Sequence, residues 1–96
     1  MGKVNILMAF DREEVFKRLR KVLMNLLKVF HEKSIDSQPK IDWGTDIVDD
    51  LGIDSVETLD LLNAIEEEFQ VNPNISEANT KRKISQIVDY IIEIGK

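Results

Sequence analysis

The chain has 96 residues, 43% of them apolar, with 13 Lys/Arg against 18 Asp/Glu and a formal net charge of −5. That length and mixture suit one small folded domain and exclude a disordered tail. With no cysteine and a single histidine, His31, disulfides and Cys-based metal sites are excluded, and a zinc site would rest almost wholly on carboxylates.

The opening run "MGKVNILMAF" is too short to span a bilayer and has no small-residue cleavage site. Ile6 stands where myristoylation needs Ser or Thr, so a soluble, cytoplasmic protein is expected. Val15, Phe16, Leu19, Val22, Leu23, Leu26, Leu27 and Phe30 then recur at three- and four-residue steps, which predicts an amphipathic helix over about 12–30. Asp11 and Glu14 form a capping pair at its start, and Phe10 is placed to staple onto Val15. Its outer face is basic, with Lys17, Arg18, Arg20, Lys21 and Lys28.

Residues 31–54 hold Pro39, Gly44, Gly52 and many Asp and Ser without a sustained period, so a long connection is expected. Trp43, Ile47, Val48, Leu51 and Ile53 are its candidate anchors on the core. A second helix opens at Ser55, with Asp54 as cap and Glu57 as the reciprocal partner three residues on. Leu59, Leu61, Leu62, Ile65 and Phe69 project onto one apolar arc. Glu57, Asp60, Glu67 and Glu68 fall on the opposite arc around Ala64. Val71, Asn72 and Pro73 end the helix.

The string "NISEAN" carries another capping pair, Asn74 and Glu77, with Ile75 and Ala78 to bury; alone, so short a helix is marginal. The last helix sets Ile84, Ile87, Val88 and Ile91 on one face with Ile92 beside it. Its β-branched residues also suit a strand, but the spacing is helical and no second strand exists to pair with it. The expected architecture is all-α: a small antiparallel four-helix bundle of three main helices and one short one. A long loop joins the first two helices, and residues 1–96 form a single domain.

Charge is partitioned along this chain. Residues 1–40 carry nine Lys/Arg and five Asp/Glu, 41–78 carry eleven Asp/Glu and no Lys or Arg, and 79–96 carry four basic and two acidic residues. The acidic middle repels nucleic acid and attracts basic protein surfaces.

Within the middle segment, "DDLGIDSVETLDLLNAIEEEF" sets one hydroxyl, Ser55, at a helix start. A nucleophilic serine needs an adjacent base and an oxyanion hole. Gly52-Ile53-Asp54-Ser55-Val56 is not a Gly-x-Ser-x-Gly elbow, and His31 has no evident orienting partner. An EF-hand loop is excluded as well. Aligning Gly52 with its sixth position puts Ile47 first and Thr58 twelfth, and neither supplies a carboxylate. The residues alone leave open that Ser55 only begins a helix.

The same string resembles the attachment segment of acyl carrier proteins. The resemblance rests on Asp50-Leu51-Gly52, Asp54-Ser55, the apolar Val56, Leu59, Leu61, Leu62 and Ile65, and Glu66-Glu67-Glu68-Phe69. It runs on to "VDYI" at Val88–Ile91. It implies that Ser55 is esterified with 4′-phosphopantetheine by a separate phosphopantetheinyl transferase (holo-acyl-carrier-protein synthase), and that the chain is no enzyme and binds no metal. The arm's thiol would carry acyl groups as thioesters between partner enzymes of fatty acid, lipid or polyketide synthesis, which suits a chain without cysteine. Asp54 would cap the helix and serve transferase recognition. Val56, Glu57, Asp60, Asn63, Glu67 and Glu68 would form the docking face for basic patches on acyl-loading and acyl-using enzymes. A monomer without nucleic-acid or membrane partners is implied. An aminoacyl or peptidyl carrier with the same chemistry, or an unmodified helical adaptor, remains the alternative.

Three features depart from the family pattern. Asn63 replaces a residue that is usually apolar, often methionine. Pro73 and Lys81 replace apolar residues before the last helix, where the run Lys81-Arg82-Lys83 reads as a solvated hinge or, alternatively, as cations meeting the arm's phosphate, an acidic partner or the protein's own acidic helix. The basic first third of the chain suggests a specialised carrier.

Overall fold

A computed structural model describes residues 11–31 and 40–95, side chains from 29 to 31 excepted. Phe10, the expected staple, lies outside them. Helix α1 spans Arg12–His31, and its first backbone bond runs from Val15 N–H to the Asp11 carbonyl at 2.9 Å. Val15, Leu19, Leu23 and Leu27 are buried; a four-residue step keeps them on one slowly winding stripe. Helices α2 (Ser55–Phe69) and α4 (Ile84–Ile94) both pack against α1. Helix α3 is the single turn Ile75–Ala78. Among the described residues the fold is all-helical, with three main helices, one short one and a long loop between α1 and α2.

That loop is tied down by backbone pairing. The Ile47 N–H donates to the Arg82 carbonyl, the Ile84 N–H to the Thr45 carbonyl and the Ser85 N–H to the Trp43 carbonyl, each at 2.9 Å. Asp46 and Lys83 form one antiparallel bridge. The first N–H groups of any helix lack intrahelical acceptors. Lys83 at the cap of α4 has no side-chain acceptor to offer, and the loop carbonyls take that role. Below the backbone, Ile41, Ile47, Leu51 and Ile53 are buried. Val48, an expected anchor, is 41% exposed, because the turn closed by Gly52 N–H to the Val48 carbonyl at 3.0 Å leaves that side chain outside. Trp43 is half-buried and stacks on Phe16 of α1 with ring centroids 4.4 Å apart. Arg12 lies over the same indole at 4.8 Å and pairs with Asp89 of α4 at 2.9 Å.

The cationic junction is fastened rather than a bare hinge. Arg82 lies 3.1 Å from Asp49 and 3.4 Å from Asp46. One Asp46 carboxylate oxygen accepts the N–H groups of Val48 and Asp49 at 2.8 and 2.9 Å. The Asp49 N–H bond is the main cause holding the Asp46 carboxyl below its ordinary pKa. The Val48 N–H and Arg82 add to it, against desolvation that raises it.

Helix α2 is rolled relative to the sequence expectation. Leu61, Ile65 and Phe69 are buried and Leu62 is half-buried, but Leu59 is 46% exposed. Residues two apart stand on nearly opposite sides of a helix, so Leu59 faces out once α1 covers the flank of Leu61. Arg18 of α1 extends this covered flank. It pairs with the Glu68 carboxylate at 2.8 Å, donates to the Glu68 carbonyl and stands over the Phe69 ring at 4.7 Å. The helix stops at Phe69, where Gln70 takes a left-handed backbone (φ 56°). In α3, Ala78 is buried as expected, whereas Ile75 is 46% exposed: one turn presents only one position to the core.

Two outcomes follow from this packing. Leu61→Ala is expected to destabilise the fold by about 2–5 kcal/mol and Leu59→Ala by less than about 1 kcal/mol. Urea unfolding of the two variants measures the roll of α2, and equal costs would contradict it. The depressed Asp46 carboxyl contributes stability above its unfolded pKa of about 3.9. That contribution is lost as pH falls through the lower folded value. The deficit of Asp46→Asn at pH 7 should therefore shrink when melting is followed into acid below that range, and a constant deficit would deny the carboxylate a role.

Candidate functional site

Ser55 is the first residue of α2 and is exposed. Its position is set from both sides. Upstream, Gly52 has φ 70°, a left-handed conformation that costs other L-residues about 1–2 kcal/mol. The Ile53 N–H then returns to the Ile47 carbonyl at 2.9 Å, with Ile53 fully buried. Downstream, Asp54 accepts the Glu57 N–H at 2.8 Å, and the Glu57 carboxylate accepts the Asp54 N–H at 3.1 Å. The expected capping box is present. Thr58 adds a hydroxyl bond to the Asp54 carbonyl at 2.8 Å.

Asp54 therefore closes the helix and Ser55 does not. Among the described residues the Ser55 hydroxyl has no hydrogen-bond partner and no neighbouring base. No group of three metal-ligating side chains occurs among the described residues. The hydroxyl stands at the positive end of a 15-residue helix, where an attached phosphodiester is favoured by about 0.3–1 kcal/mol. An exposed nucleophile without an activating base can be modified by another protein but has no chemistry of its own.

Around it, the outward side of α2 carries Val56 (70% exposed), Leu59, Asp60, Asn63, Glu66 and Glu67. Leu59 and Glu66 were not among the expected docking residues. Leu59 projects onto the expected apolar arc, and Glu66 entered only as part of the family resemblance. The remaining expected docking residues are partly engaged within the molecule: Glu57 in the capping box and Glu68 with Arg18.

About one turn along α2 from Ser55, beginning at Thr58, a narrow cavity of about 20 Å³ is lined by residues that include Thr58, Leu61, Leu62, Ile65, Lys81 and Tyr90. It has room for little more than one water. On one side its wall is the single turn α3 with its flanks, through Ala78, Pro73 and Lys81. That turn is held by Asn74, whose side-chain oxygen accepts the Ser76 and Glu77 N–H groups at 2.8 and 3.2 Å. Tyr90 secures the same residue, its hydroxyl accepting the Asn74 N–H at 2.8 Å.

Comparison with known proteins agrees with this geometry. The family model described as "Phosphopantetheine attachment site" matches residues 17–91. The acyl carrier protein of Campylobacter concisus is 35% identical over 82 residues, covering 85% of this chain and 97% of that protein. The acyl carrier protein of Trieres chinensis is 32% identical over 79 residues, 82% of this chain and 90% of that protein. The mitochondrial acyl carrier protein of Neurospora crassa is 32% identical over 81 residues, 84% of this chain and 56% of that protein. With a phosphopantetheine-attachment domain over most of its length and relatives of this similarity, the chain belongs to the acyl carrier protein family, a family of carriers and not of catalysts.

Proposed function

We propose that Ser55 is the attachment residue and that the chain carries acyl groups between enzymes of fatty acid or lipid synthesis. The observation that supports this reading is the exposed, unpartnered hydroxyl at the first position of α2, released from capping duty by Asp54. When bound, 4′-phosphopantetheine supplies the thiol that a cysteine-free chain lacks. Everything else falls to the chain's own residues. Asp54 and Glu57 hold the helix start in one geometry, so the transferase meets a fixed Ser55 Oγ. The N-terminal dipole of α2 favours the phosphodiester's charge. The proposed setting is the cytoplasm, as a monomer; no helix among the described residues is long and apolar enough to cross a membrane.

Docking is assigned to the outward side of α2. Asp60 and Glu67 supply charge for basic patches on the transferase and on acyl-handling enzymes, with Val56 and Asn63 beside them and Glu57 at the upper edge. Glu68 joins this face with Arg18 attached, which weakens its pull on a partner. Charges at an interface rim act mainly on encounter rate and its salt dependence. An acyl chain on the arm would enter the seam along α2 from Ser55 by displacing α3, since the closed cavity is too small to hold one.

Incubation with coenzyme A and a promiscuous phosphopantetheinyl transferase, read by intact mass, should add one phosphopantetheinyl group to the wild type and none to Ser55→Ala. No addition to the wild type would leave an unmodified helical adaptor. Glu67→Lys should slow transfer on the order of three- to tenfold at low salt and flatten the salt dependence, with the fold intact. Glu68→Lys should instead lower stability by setting a cation against Arg18. Stopped-flow transfer at two salt concentrations and urea melts separate the two effects; an unchanged rate and salt slope for Glu67→Lys would remove the docking assignment.

A further inference from the structure

Three polar side chains stand among the residues lining the cavity one turn along α2 from Ser55, and two of them are already committed. The Thr58 hydroxyl donates to the Asp54 carbonyl at 2.8 Å. The Tyr90 hydroxyl is held by the backbone of Asn74, accepting its N–H at 2.8 Å and donating to its carbonyl at 3.3 Å. The third is Lys81, half-buried, whose ammonium lies 5.8 Å from the centre of the Tyr90 ring. An ammonium has three donors and no acceptor. Among the described residues no carboxylate lies within 4.0 Å of it. Its neighbour Arg82 takes the nearby loop carboxylates, Asp46 and Asp49. Lys81 also lines an outer groove together with Glu77 and Glu93, yet neither carboxylate comes within 4.0 Å of its ammonium. The rest of the cavity wall named above, Leu61, Leu62 and Ile65, is apolar. The seam thus offers a largely apolar passage with one cation in its wall, set over the Tyr90 ring and paired with no carboxylate among the described residues.

We propose that Lys81 selects the cargo: the seam takes acyl groups that end in a carboxylate, such as the half-thioesters of dicarboxylic acids, over unsubstituted chains of the same length. This deepens the carrier assignment and rests on it. The methylene part of such a chain replaces water against Leu61, Leu62 and Ile65. Its terminal carboxylate stops at Lys81, where the half-exposed position keeps the desolvation of both charges small. An alkyl chain of equal length must instead leave the ammonium beside a methyl group, with part of its hydration removed. Lys81 acts here on binding alone and no bond changes.

The test loads the full chain enzymatically from adipyl- and hexanoyl-coenzyme A, which differ only at the sixth carbon, in wild type and in Lys81→Leu and Lys81→Arg. Intact mass first establishes that the arm and its acyl group are present. Amide exchange at Leu61, Leu62 and Tyr90 then reads occupation of the seam. In the wild type the adipyl form should protect these amides about three- to fivefold more than the hexanoyl form, the scale of one half-exposed ion pair. Lys81→Leu should reverse the order and Lys81→Arg should keep it. Equal protection by both chains in the wild type, or an order untouched by Lys81→Leu, overturns the proposal while leaving the carrier function standing. Protection by neither chain overturns it by removing the seam as a cargo site. Failure to load at all falls on Ser55 and the carrier assignment, a result the mass measurement identifies before any exchange is recorded.

Discussion

Helix α4 begins without a side-chain cap, and its first N–H groups are answered by carbonyls of the loop that precedes α2. This backbone pairing, Ile84 to Thr45 and Ser85 to Trp43 with Ile47 returning to Arg82, is the constraint on which the rest of the molecule leans. It satisfies donors that would otherwise be buried unpaired. It also turns the described part of a long connection into a fixed spacer between the far end of the bundle and the start of α2. Ile47, Leu51 and Ile53 enter the core only because the strand-like segment beside Lys83 holds their backbone still. Once Ile53 is seated, the next residues have little freedom, and Asp54 arrives where its carboxylate meets the Glu57 N–H.

Charge is arranged on the same plan. The basic start and the acidic middle of the sequence look like opposed blocks, yet part of each is spent inside the molecule. Arg18 joins Glu68, Arg12 joins Asp89, and Arg82 joins Asp46 and Asp49. Each of these pairs links segments distant in sequence. They are exposed or half-exposed and individually weak, so their value lies in orientation more than in stability. Arg18 also covers Phe69, fixing which flank of α2 lies against α1. What stays turned outward on α2 is a mixed surface of Val56, Leu59, Asp60, Asn63, Glu66 and Glu67.

Local signals in the sequence were read well. The four-residue apolar step placed α1 at 12–30 against an observed Arg12–His31. The Asp54–Glu57 pair placed the start of α2, and the buried face of α4 was the one its isoleucines and valine marked. What was not legible depended on neighbours. Polarity assigned Leu59, Val48 and Ile75 to the interior, but which side of a helix or turn is covered is decided by the element lying against it. Ile41 went unnoticed because a lone apolar residue between charges has no period to reveal it, and it is buried all the same. The partners of Arg18 and Arg82 lie 50 and at least 33 positions away, so no local pattern foretold them. Ser55 stands out only through the family resemblance taken together with the cap, since many helices begin with a serine.

The separation of Asp54 from Ser55 has a consequence for how loading states are told apart. Because Asp54 seals the helix and the Ser55 hydroxyl bonds to nothing among the described residues, a substituent at Ser55 Oγ would break no hydrogen bond that holds the start of α2. The capping box at this end of α2 would then be the same with and without a substituent, even where a chain displaces α3 further along the seam. A partner reading this end of α2 would therefore have to sense the substituent itself.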